Sequence, residues 1–413
     1  MQDRAISYLT PEEILQHLRC PRSLWLQVFR SEATDKECTE VRSDSSCDLQ
    51  EVARRGLLNS IVITGVNHYD SLELTSNALE MKGSSIFGGE FLSSGVLAKT
   101  DILIPERGGY RLTIIAPSES SRPDYIEDLA IQYWVLRESG NVPVRCTALK
   151  INNDFIYRGN DDYQDLLVEH EVTTNDFLQS IVPRWISNTK ATLQLEDEPS
   201  VIPGEQCIYP TDCPFLRHCV PLNNANAYPD KVVAQCKILE SKLDTNEYQH
   251  SVLTLDLLAK PKYIRALLAV SSFANLKDDA EMAEAFGHHP YPRYHLQIEA
   301  TRFVVPKWEG TRPYQWIPSR WLCHIEQQDG AVSVEEFLGT PGEDPRRKFA
   351  ESLIDKLGSD GPVLAIYSKF EKERIYDLAS EFPEYWTKLW AIIYRLTDIT
   401  PTIRNLIHSN FPT

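Results

Sequence analysis

Three cysteines stand close together in the run Cys207-Ile-Tyr-Pro-Thr-Asp-Cys213-Pro-Phe-Leu-Arg-His-Cys219. Two prolines within the run favour turns, which would bring the three thiols towards one point. Thiolates are ligands for soft metal centres, either iron–sulfur clusters or zinc, and a fourth ligand would then be needed. His218 is the candidate fourth ligand for zinc, although it adjoins Cys219 in the sequence. The alternative interpretation is that the three cysteines are buried and have only a structural role.

Length and charge limit the classes of protein that must be considered. The chain has 413 residues, enough for two or three domains, and its net charge is −17. This charge argues against a protein that coats nucleic acid, because phosphate contacts need clustered Lys and Arg. No apolar stretch approaches the roughly 20 residues that span a bilayer, and the first twenty residues lack a signal-peptide core. We therefore expect a cytoplasmic protein without membrane contact; delivery into another cell as an effector remains compatible with these features.

Turn and cap residues predict the elements that must position the cysteines. Thr10-Pro11-Glu12-Glu13 predicts a capping box at the start of a helix, and Cys20-Pro21 separates that helix from a second one. Further along, strands are predicted at Val96–Ile104, Tyr110–Ala116 and Val142–Asn152, and helices at Asp124–Ser139 and 175–193. The first two strands flank a Pro-Glu-Arg-Gly-Gly segment and are predicted to form a hairpin.

A second α/β pattern begins near residue 294. Strands are predicted at Tyr294–Ala300, Trp321–Glu326, Ala331–Phe337 and Val363–Tyr367, and helices from Asp344 to Gly358 and at Pro383–Arg395. The last helix is expected to place Trp386, Leu389, Trp390 and Ile393 on its apolar face. The boundary between the two patterns is predicted to lie within 221–290.

The order of several segments resembles a bacterial family that joins an N-terminal RecB-like, iron–sulfur PD-(D/E)xK nuclease domain to a C-terminal DnaQ-like exonuclease domain. The first of these domains is similar to CRISPR-associated RecB-type exonucleases. The matching segments are Leu18–Leu26, Asp128–Gln132, Ile151–Asp154, the cysteine run, Gly310–Gln315, Pro341–Arg346 and Phe370-Glu371. The resemblance implies an α/β fold with a restriction-endonuclease-type core over 1–225, a helical connector over 226–290 and a truncated RNase H-like domain over 291–413.

The resemblance also supplies the fourth ligand of the cysteine centre. The family's Cys-Pro before a Trp falls on Cys20, so Cys20, Cys207, Cys213 and Cys219 are implied to hold a 4Fe-4S cluster. One N-terminal thiol and three C-terminal thiols would then connect the two ends of the domain. Zinc and four structural thiols are the alternatives.

The first nuclease site implied by the resemblance lacks most of its residues. RecB-type nucleases hold a divalent metal with an Asp and with the Glu of a Glu-x-Lys motif on the next strand. The Asp falls on Asp101, whereas the Glu-x-Lys positions are Ile115-Ala116-Pro117. Glu119 is followed two residues later by Ser121 instead of Lys, and a shift of two residues along a strand moves a ligand by roughly 7 Å. Gln132 matches a family position near the site. We expect metal-dependent cleavage to be lost here.

The second implied site is also incomplete. DnaQ-like exonucleases begin with Asp-x-Glu on a strand, and two further acids complete a two-metal site. The first Asp falls on Gln297, Glu299 is retained, and the next motif reads Ser368-Lys-Phe-Glu371 with Ser368 in place of Asn. Asp398 matches a later family position, and the sequence ends before the helix expected to carry the last acid. Gln is a weak ligand for a hard cation, so we expect bound Mg or Mn and exonuclease activity to be absent.

Three functions remain after this comparison. The leading hypothesis is a pseudo-nuclease that serves as a binding or regulatory subunit in a nucleic-acid-processing, defence or effector complex, with a protein as the expected partner. The other partner considered is nucleic acid, bound in the substrate groove of the implied nuclease domain near Lys99, Arg111 and Arg122. A metal-dependent DNA or RNA exonuclease with a rearranged site, and an acidic mimic of nucleic acid, are the alternative functions.

Overall fold

A computed structural model describes residues 8–34, 45–57, 59–116, 124–172, 176–209, 212–220, 289–366, 368–399 and 401. They belong to two compact units: the first contains the described residues up to 220 together with Glu309–Pro313, and the second contains 289–308 and the described residues from 314 onwards. Both units combine helices with a mixed sheet, so the predicted α/β class is confirmed. The predicted connector lies almost entirely outside the described residues. Within the described ranges, no helix has the length and apolar character needed to cross a membrane.

The first unit contains seven helices and eight strands in its described part. The helices are α1 (Pro11–Arg19), α2 (Pro21–Phe29), α3 (Ser45–Arg55), α4 (His68–Glu80), α5 (Tyr125–Glu138), α6 (Asp176–Leu193) and α7 (Leu216–Cys219). The strands are β1 (Ser60–Val62), β2 (Ser85–Phe87), β3 (Glu90–Ser93), β4 (Val96–Lys99), β5 (Ile102–Glu106), β6 (Gly109–Ile115), β7 (Arg145–Ile151) and β8 (Leu167–Glu171).

Six of these strands form one sheet, in the order β1-β2-β5-β6-β7-β8. The pairs β1–β2 and β6–β7 are parallel and the other pairs are antiparallel, while β3 and β4 form a separate hairpin. The main core of the unit contains apolar side chains of the sheet, of β3 and β4, and of α1, α5 and α6. Helix α5 contributes five fully or almost fully buried side chains, at Leu129, Ala130, Ile131, Val135 and Leu136.

The local sequence accounts for the first two helices and for the central hairpin. Thr10 accepts a hydrogen bond from the Glu13 backbone N–H at 3.3 Å, and the Glu13 carboxylate accepts one from the Thr10 N–H at 2.9 Å, which confirms the capping box. Pro21 occupies the first position of α2, where its missing N–H costs no helical hydrogen bond. The predicted hairpin is formed by β5 and β6.

The single strand predicted at Val96–Ile104 is wrong. The chain changes partner at Thr100, because β4 pairs with β3 whereas β5 pairs with β2 and β6. The buried Thr100 is part of the crossing: its N–H and its hydroxyl both donate to the carbonyl of Gly89, at 2.8 and 3.1 Å. Asp101 therefore lies just before the first strand of the hairpin and not on it.

The second unit contains five strands and three α-helices in its described part. The strands are β9 (Arg293–Arg302), β10 (Trp316–Glu326), β11 (Val332–Leu338), β12 (Val363–Ala365) and β13 (Leu396–Asp398), and the helices are α8 (Arg346–Lys356), α9 (Lys369–Glu381) and α10 (Trp386–Arg395). A 3-10 turn at Pro383–Tyr385 precedes α10. The strand order is β11-β10-β9-β12-β13, with the first three strands antiparallel and the last two parallel to β9.

One face of this sheet carries the core of the unit. Tyr294, Leu296 and Ile298 alternate along β9 and belong to one apolar cluster with Trp321 and with helix residues such as Phe349. The predicted Gln327–Gly330 turn is present, with the Gln327 N–H donating to the Ala331 carbonyl at 2.8 Å. The odd-numbered positions of β9, including Gln297 and Glu299, therefore lie on the opposite face of the strand.

The expected apolar face of α10 is only partly correct. Leu389 and Ile392 are the buried side chains of the helix, whereas Trp386 and Trp390 are 41% and 45% exposed. The two indole rings stack at 5.6 Å with nearly parallel planes, and Tyr376 of α9 contacts both of them edge-on. Aromatic residues at this spacing pack with each other on the helix surface instead of entering the core.

Candidate functional sites: a cysteine cavity and two carboxylate sites

The four cysteines expected to act together all line one cavity in the first unit. Cys20 is the residue between α1 and α2, Cys207 ends a 3-10 turn, Cys213 follows in the loop, and Cys219 is the last residue of α7. The Cys213 N–H donates to the Cys207 carbonyl at 2.8 Å, which fixes the loop between them. None of the six cysteines given a burial state by the structure forms a disulfide.

Packing against α2 brings the C-terminal thiols to the N-terminal one. Trp25 and Leu26 of α2 form an apolar cluster with Cys207, Cys213 and Phe215, among others. The Trp25 indole N–H donates to the Leu195 carbonyl at 3.1 Å, and the Cys213 thiol lies 3.9 Å from the Ser23 hydroxyl. These contacts hold Leu195 and the cysteine run against α2. The predicted connection between the two ends of the domain requires this proximity.

Burial and nearby cations act in opposite directions on these thiols. Burial raises the pKa values of Cys207, Cys213 and Cys219, in the last case to about 12. The charges of Arg19 and Arg22, which also line the cavity, oppose this increase. The cavity is therefore apolar but carries positive charge at its wall, an environment that stabilises thiolates once they bind a cationic centre.

The spacing of the thiols bears on the kind of centre they would hold. Among the described residues, no three His, Cys, Asp or Glu side chains lie close enough to bind one ion together. A zinc ion needs all four ligands within about 2.3 Å, whereas in a 4Fe-4S cluster each thiolate binds a different iron atom and the thiols stand further apart. His218 does not line the cavity, and its Nε2 atom lies 3.1 Å from both carboxylate oxygens of Glu198.

At the first carboxylate site, Asp101 contacts the backbone of Ile115, the position at which the resemblance implies a Glu. The backbone N–H of Ile115 donates to the Asp101 carboxylate at 2.7 Å. The Ile115 side chain itself is buried at the end of β6. A backbone amide is therefore one of the partners of the Asp101 carboxylate. Pro117, Glu119 and Ser121 lie outside the described residues.

Gln132 lies inside the helix packed on the sheet. It is buried on α5, and its side-chain amide donates to the carboxylate of the buried Asp128 at 2.8 Å, one helical turn earlier. Sequence reasoning missed Asp128, although its spacing of four residues from Gln132 is the spacing at which helical side chains meet. This hydrogen bond lies within one helix, and it gives the Gln132 amide a partner that does not depend on a metal.

At the second carboxylate site, Glu299 and Glu371 have different surroundings. Glu299 is exposed and forms an ion pair with Arg320 at 3.1 Å on the neighbouring strand. Glu371, in the first turn of α9, is buried, and its carboxylate accepts hydrogen bonds from backbone N–H groups, including that of Ile298. Glu371 Oε2 has no hydrogen-bond partner among the described residues. Gln297, the neutral replacement for the first Asp, is half-buried on β9.

Glu371 is the most strongly perturbed carboxylate of this site. Burial raises its pKa to about 7, and the negative charge of Asp398 acts in the same direction, while the backbone hydrogen bonds oppose it. Asp398 ends β13, and Ser368 is buried just before α9. The structure thus brings Glu371 into electrostatic contact with Asp398 and leaves Glu299 paired with Arg320.

Two further side chains near the cysteine cavity were not singled out from the sequence. Arg22 forms an ion pair with Glu198, and both side chains are about four-fifths buried. Arg19 donates to the Gln206 carbonyl at 2.9 Å. Their positions on either side of Cys20-Pro21 were visible in the sequence, but the distant partners Glu198 and Gln206 were not.

Comparison with known proteins adds one match. Residues 294–412 match the model of a domain of unknown function, DUF2779. A search of curated proteins found no match. The matched segment contains Gln297, Glu299, Glu371 and Asp398 but covers less than a third of the chain. In this segment, which corresponds to most of its second unit, the chain is therefore similar to a domain of unknown function.

Proposed function

We propose that this protein is a pseudo-nuclease: a two-domain nuclease architecture that has lost its chemistry and acts as a binding or regulatory subunit. The first domain would have a RecB-like core and the second an RNase H-like core of the DnaQ type. The strand order β11-β10-β9-β12-β13, with an antiparallel β11–β10–β9 meander and two parallel strands, supports the second assignment. The parallel β6–β7 pair beside the β5–β6 hairpin is compatible with the first.

The hydrogen bond between Asp101 and the Ile115 backbone is the observation that carries this proposal. A metal site needs two carboxylates converging on one ion, with their oxygen atoms free to bind it. Here one carboxylate accepts the N–H of the residue that should supply the other, and that residue has an aliphatic side chain. The remaining acid therefore supports the strand backbone and lacks the second ligand of a metal pair.

The carboxylate site of the second unit also supports a loss of nuclease chemistry. A two-metal exonuclease site needs several ionised carboxylates around one point. Gln297 is neutral, Glu299 is paired with Arg320, and Glu371 is buried with its pKa raised to about 7. These three features support the loss of exonuclease chemistry at this site.

A structural cofactor is the second part of the proposal. Cys20, Cys207, Cys213 and Cys219 would hold a 4Fe-4S cluster, and the fit rests on four thiols lining one apolar cavity with two arginines at its wall. When bound, the cluster would connect α2 to the C-terminal segment by bonds that survive local unfolding. Zinc is the alternative centre for the same four thiols.

A protein partner agrees with the charges better than nucleic acid does. Arg111, one of the three cations considered for the substrate groove, pairs with Glu169 at 2.9 Å and Glu106 at 3.1 Å. Lys99 is exposed at the end of β4, and Arg122 lies outside the described residues. With a net charge of −17 and Arg111 engaged by two carboxylates, a protein partner is favoured over phosphates in this groove.

A nuclease assay tests the central part of this proposal. The anaerobically purified protein, with its iron and sulfide content measured, is incubated with single- and double-stranded DNA and RNA over a range of Mg²⁺ and Mn²⁺ concentrations. We expect no degradation above a no-protein blank. Degradation that disappears in Asp101→Ala or Glu299→Ala would instead establish a rearranged nuclease site. Affinity purification from the native cell with mass spectrometry, compared with an unrelated bait, would then identify the partner.

A further inference from the structure

The cysteine cavity has a fixed arginine at its wall. Arg22 lies in the first turn of α2, two residues after Cys20, and it lines the cavity together with the four cysteines and Arg19. Among the described residues that line the cavity, these two arginines are the cationic side chains. The N-terminus of α2 also points its partial positive charge towards Cys20, because Cys20 is the N-cap residue.

An ion pair on the side away from the thiols holds Arg22 in place. Glu198 contacts the Arg22 guanidinium through Nε, and the same carboxylate lies 3.1 Å from the Nε2 atom of His218. Arg30 approaches Glu198 at 3.9 Å. Only about a fifth of each side chain in the Arg22–Glu198 pair is exposed, so solvent screens its charges weakly. If the Arg22 side chain moved into solvent, Glu198 would lose its closest cation, and this cost keeps Arg22 in place.

The four thiols share this cavity with the arginine. Because Arg22 lines the cavity together with Cys20, Cys207, Cys213 and Cys219, its charge acts on any centre that the thiols bind. Four thiolates with an iron–sulfur core carry a net negative charge in a cavity that water barely enters. A buried anion of this kind requires a nearby counter-charge, and Arg22 is one that an ion pair holds in place.

We propose that Arg22, tethered by Glu198, is a positioning residue whose positive charge raises the reduction potential of the centre held by the four cysteines. This inference rests on the cluster proposed above. One electron from a low-potential chemical reductant adds one negative charge to the centre, and no bond forms or breaks in that step. A fixed positive charge in a poorly screened cavity stabilises the more negative, reduced form.

Three variants of the full chain separate this charge effect from a structural one. Arg22→Gln removes the charge and retains a long polar side chain, Arg22→Lys retains the charge, and Glu198→Gln removes the negative neighbour of Arg22. Each protein is titrated anaerobically with dithionite and redox mediators, and visible absorption and electron paramagnetic resonance report the reduced fraction. Iron and sulfide per chain are measured on the same samples.

The expected shifts have opposite signs. In Arg22→Gln the ratio of reduced to oxidised centre at a fixed potential falls about tenfold, which is about 59 mV for one electron. In Arg22→Lys the ratio of reduced to oxidised centre stays within about threefold of its value in the unchanged protein. In Glu198→Gln this ratio rises, because a negative charge is lost. A structural disturbance would shift the reduction potentials of Arg22→Gln and Glu198→Gln in the same direction.

Failure of the inference and failure of the cluster give different results. If the unchanged chain purified anaerobically contains no iron or sulfide, the cluster proposal fails. If the cluster is present but Arg22→Gln leaves the potential unchanged, or if both variants shift it downwards, the role of Arg22 is overturned and the cluster proposal stands. If Arg22→Gln does not retain iron, Glu198→Gln decides alone: an upward shift supports the proposal, and no shift or a downward one rejects it.

Discussion

The carboxylate of Asp101 accepts a hydrogen bond from the backbone N–H of Ile115 at 2.7 Å. In the RecB-like architecture that we propose for the first unit, these two positions would carry the two carboxylates of a metal site. Here the Asp101 carboxylate joins the residue before β5 to the end of β6. This relationship changes what a substitution at Asp101 should do, because the residue contributes to stability and has no catalytic partner at position 115.

Asp101→Ala should destabilise the first unit without changing any nucleic-acid reaction. The substitution leaves the Ile115 N–H without its acceptor, and such a loss costs about 1–3 kcal/mol in the free energy of unfolding. Asp101→Asn is the matched control, since its side-chain oxygen can still accept the bond and the loss should be smaller. Chemical denaturation followed by circular dichroism measures both variants. An Asp101→Ala protein as stable as the unchanged one would contradict this role.

Glu371 should make the second unit less stable as the pH rises from about 5 to 8. Its pKa is raised from 4.5 to about 7 by burial, so the folded state binds the proton more tightly than the unfolded state. The stabilising contribution of the protonated form is complete below pH 4.5 and is lost as the pH rises through 7. The pKa shift corresponds to at most about 3 kcal/mol.

Glu371→Gln tests this pH dependence directly. Glutamine resembles the protonated acid and cannot ionise, so the variant should be more stable than the unchanged protein at pH 8 and should lose the slope between pH 5 and 8. Glu299→Gln is the control, because that carboxylate is exposed and paired with Arg320. The measurement is the unfolding midpoint at each pH, and an unaltered slope in Glu371→Gln would refute the assignment.

Cys213→Ala should remove bound iron, whereas Cys323→Ala should not. Both cysteines are buried, but Cys213 lines the cavity with Cys20, Cys207 and Cys219, while Cys323 belongs to the apolar core of the second unit. Iron and acid-labile sulfide are measured after anaerobic purification, together with absorption in the visible range. Equal iron content in the two variants would rule out the cavity as the cluster site.

The exposed surface of α10 should tolerate substitution, whereas its buried face should not. Leu389 is fully buried, and Leu389→Ala should cost about 2–5 kcal/mol in the free energy of unfolding. Tyr394 is 89% exposed, and Tyr394→Ala should change it by less than about 0.5 kcal/mol. Thermal unfolding of the two variants in parallel tests this difference. A large loss in Tyr394→Ala would mean that its ring is covered in solution.

The sequence by itself determined the local features of this protein. The capping box at Thr10, the break at Cys20-Pro21, the β5–β6 hairpin and the Asp-Gly turn before β11 follow from residue types whose backbone preferences act within a few positions. The sequence also shows, without the tertiary structure, that Ile115 and Gln297 cannot serve as acidic metal ligands at the positions where the proposed nuclease architecture would have carboxylates. These features depend only on chemistry and short spacing.

The tertiary structure decided which distant groups meet. The crossing at Thr100, which separates β4 from β5, depends on the partners each segment finds in two different sheets. The ion pair of Arg22 with Glu198 and the burial of Glu371 beside Asp398 join residues from separate elements. Propensity and periodicity describe one segment at a time, whereas hydrogen bonds, ion pairs and the pKa of a buried acid depend on what packing places nearby.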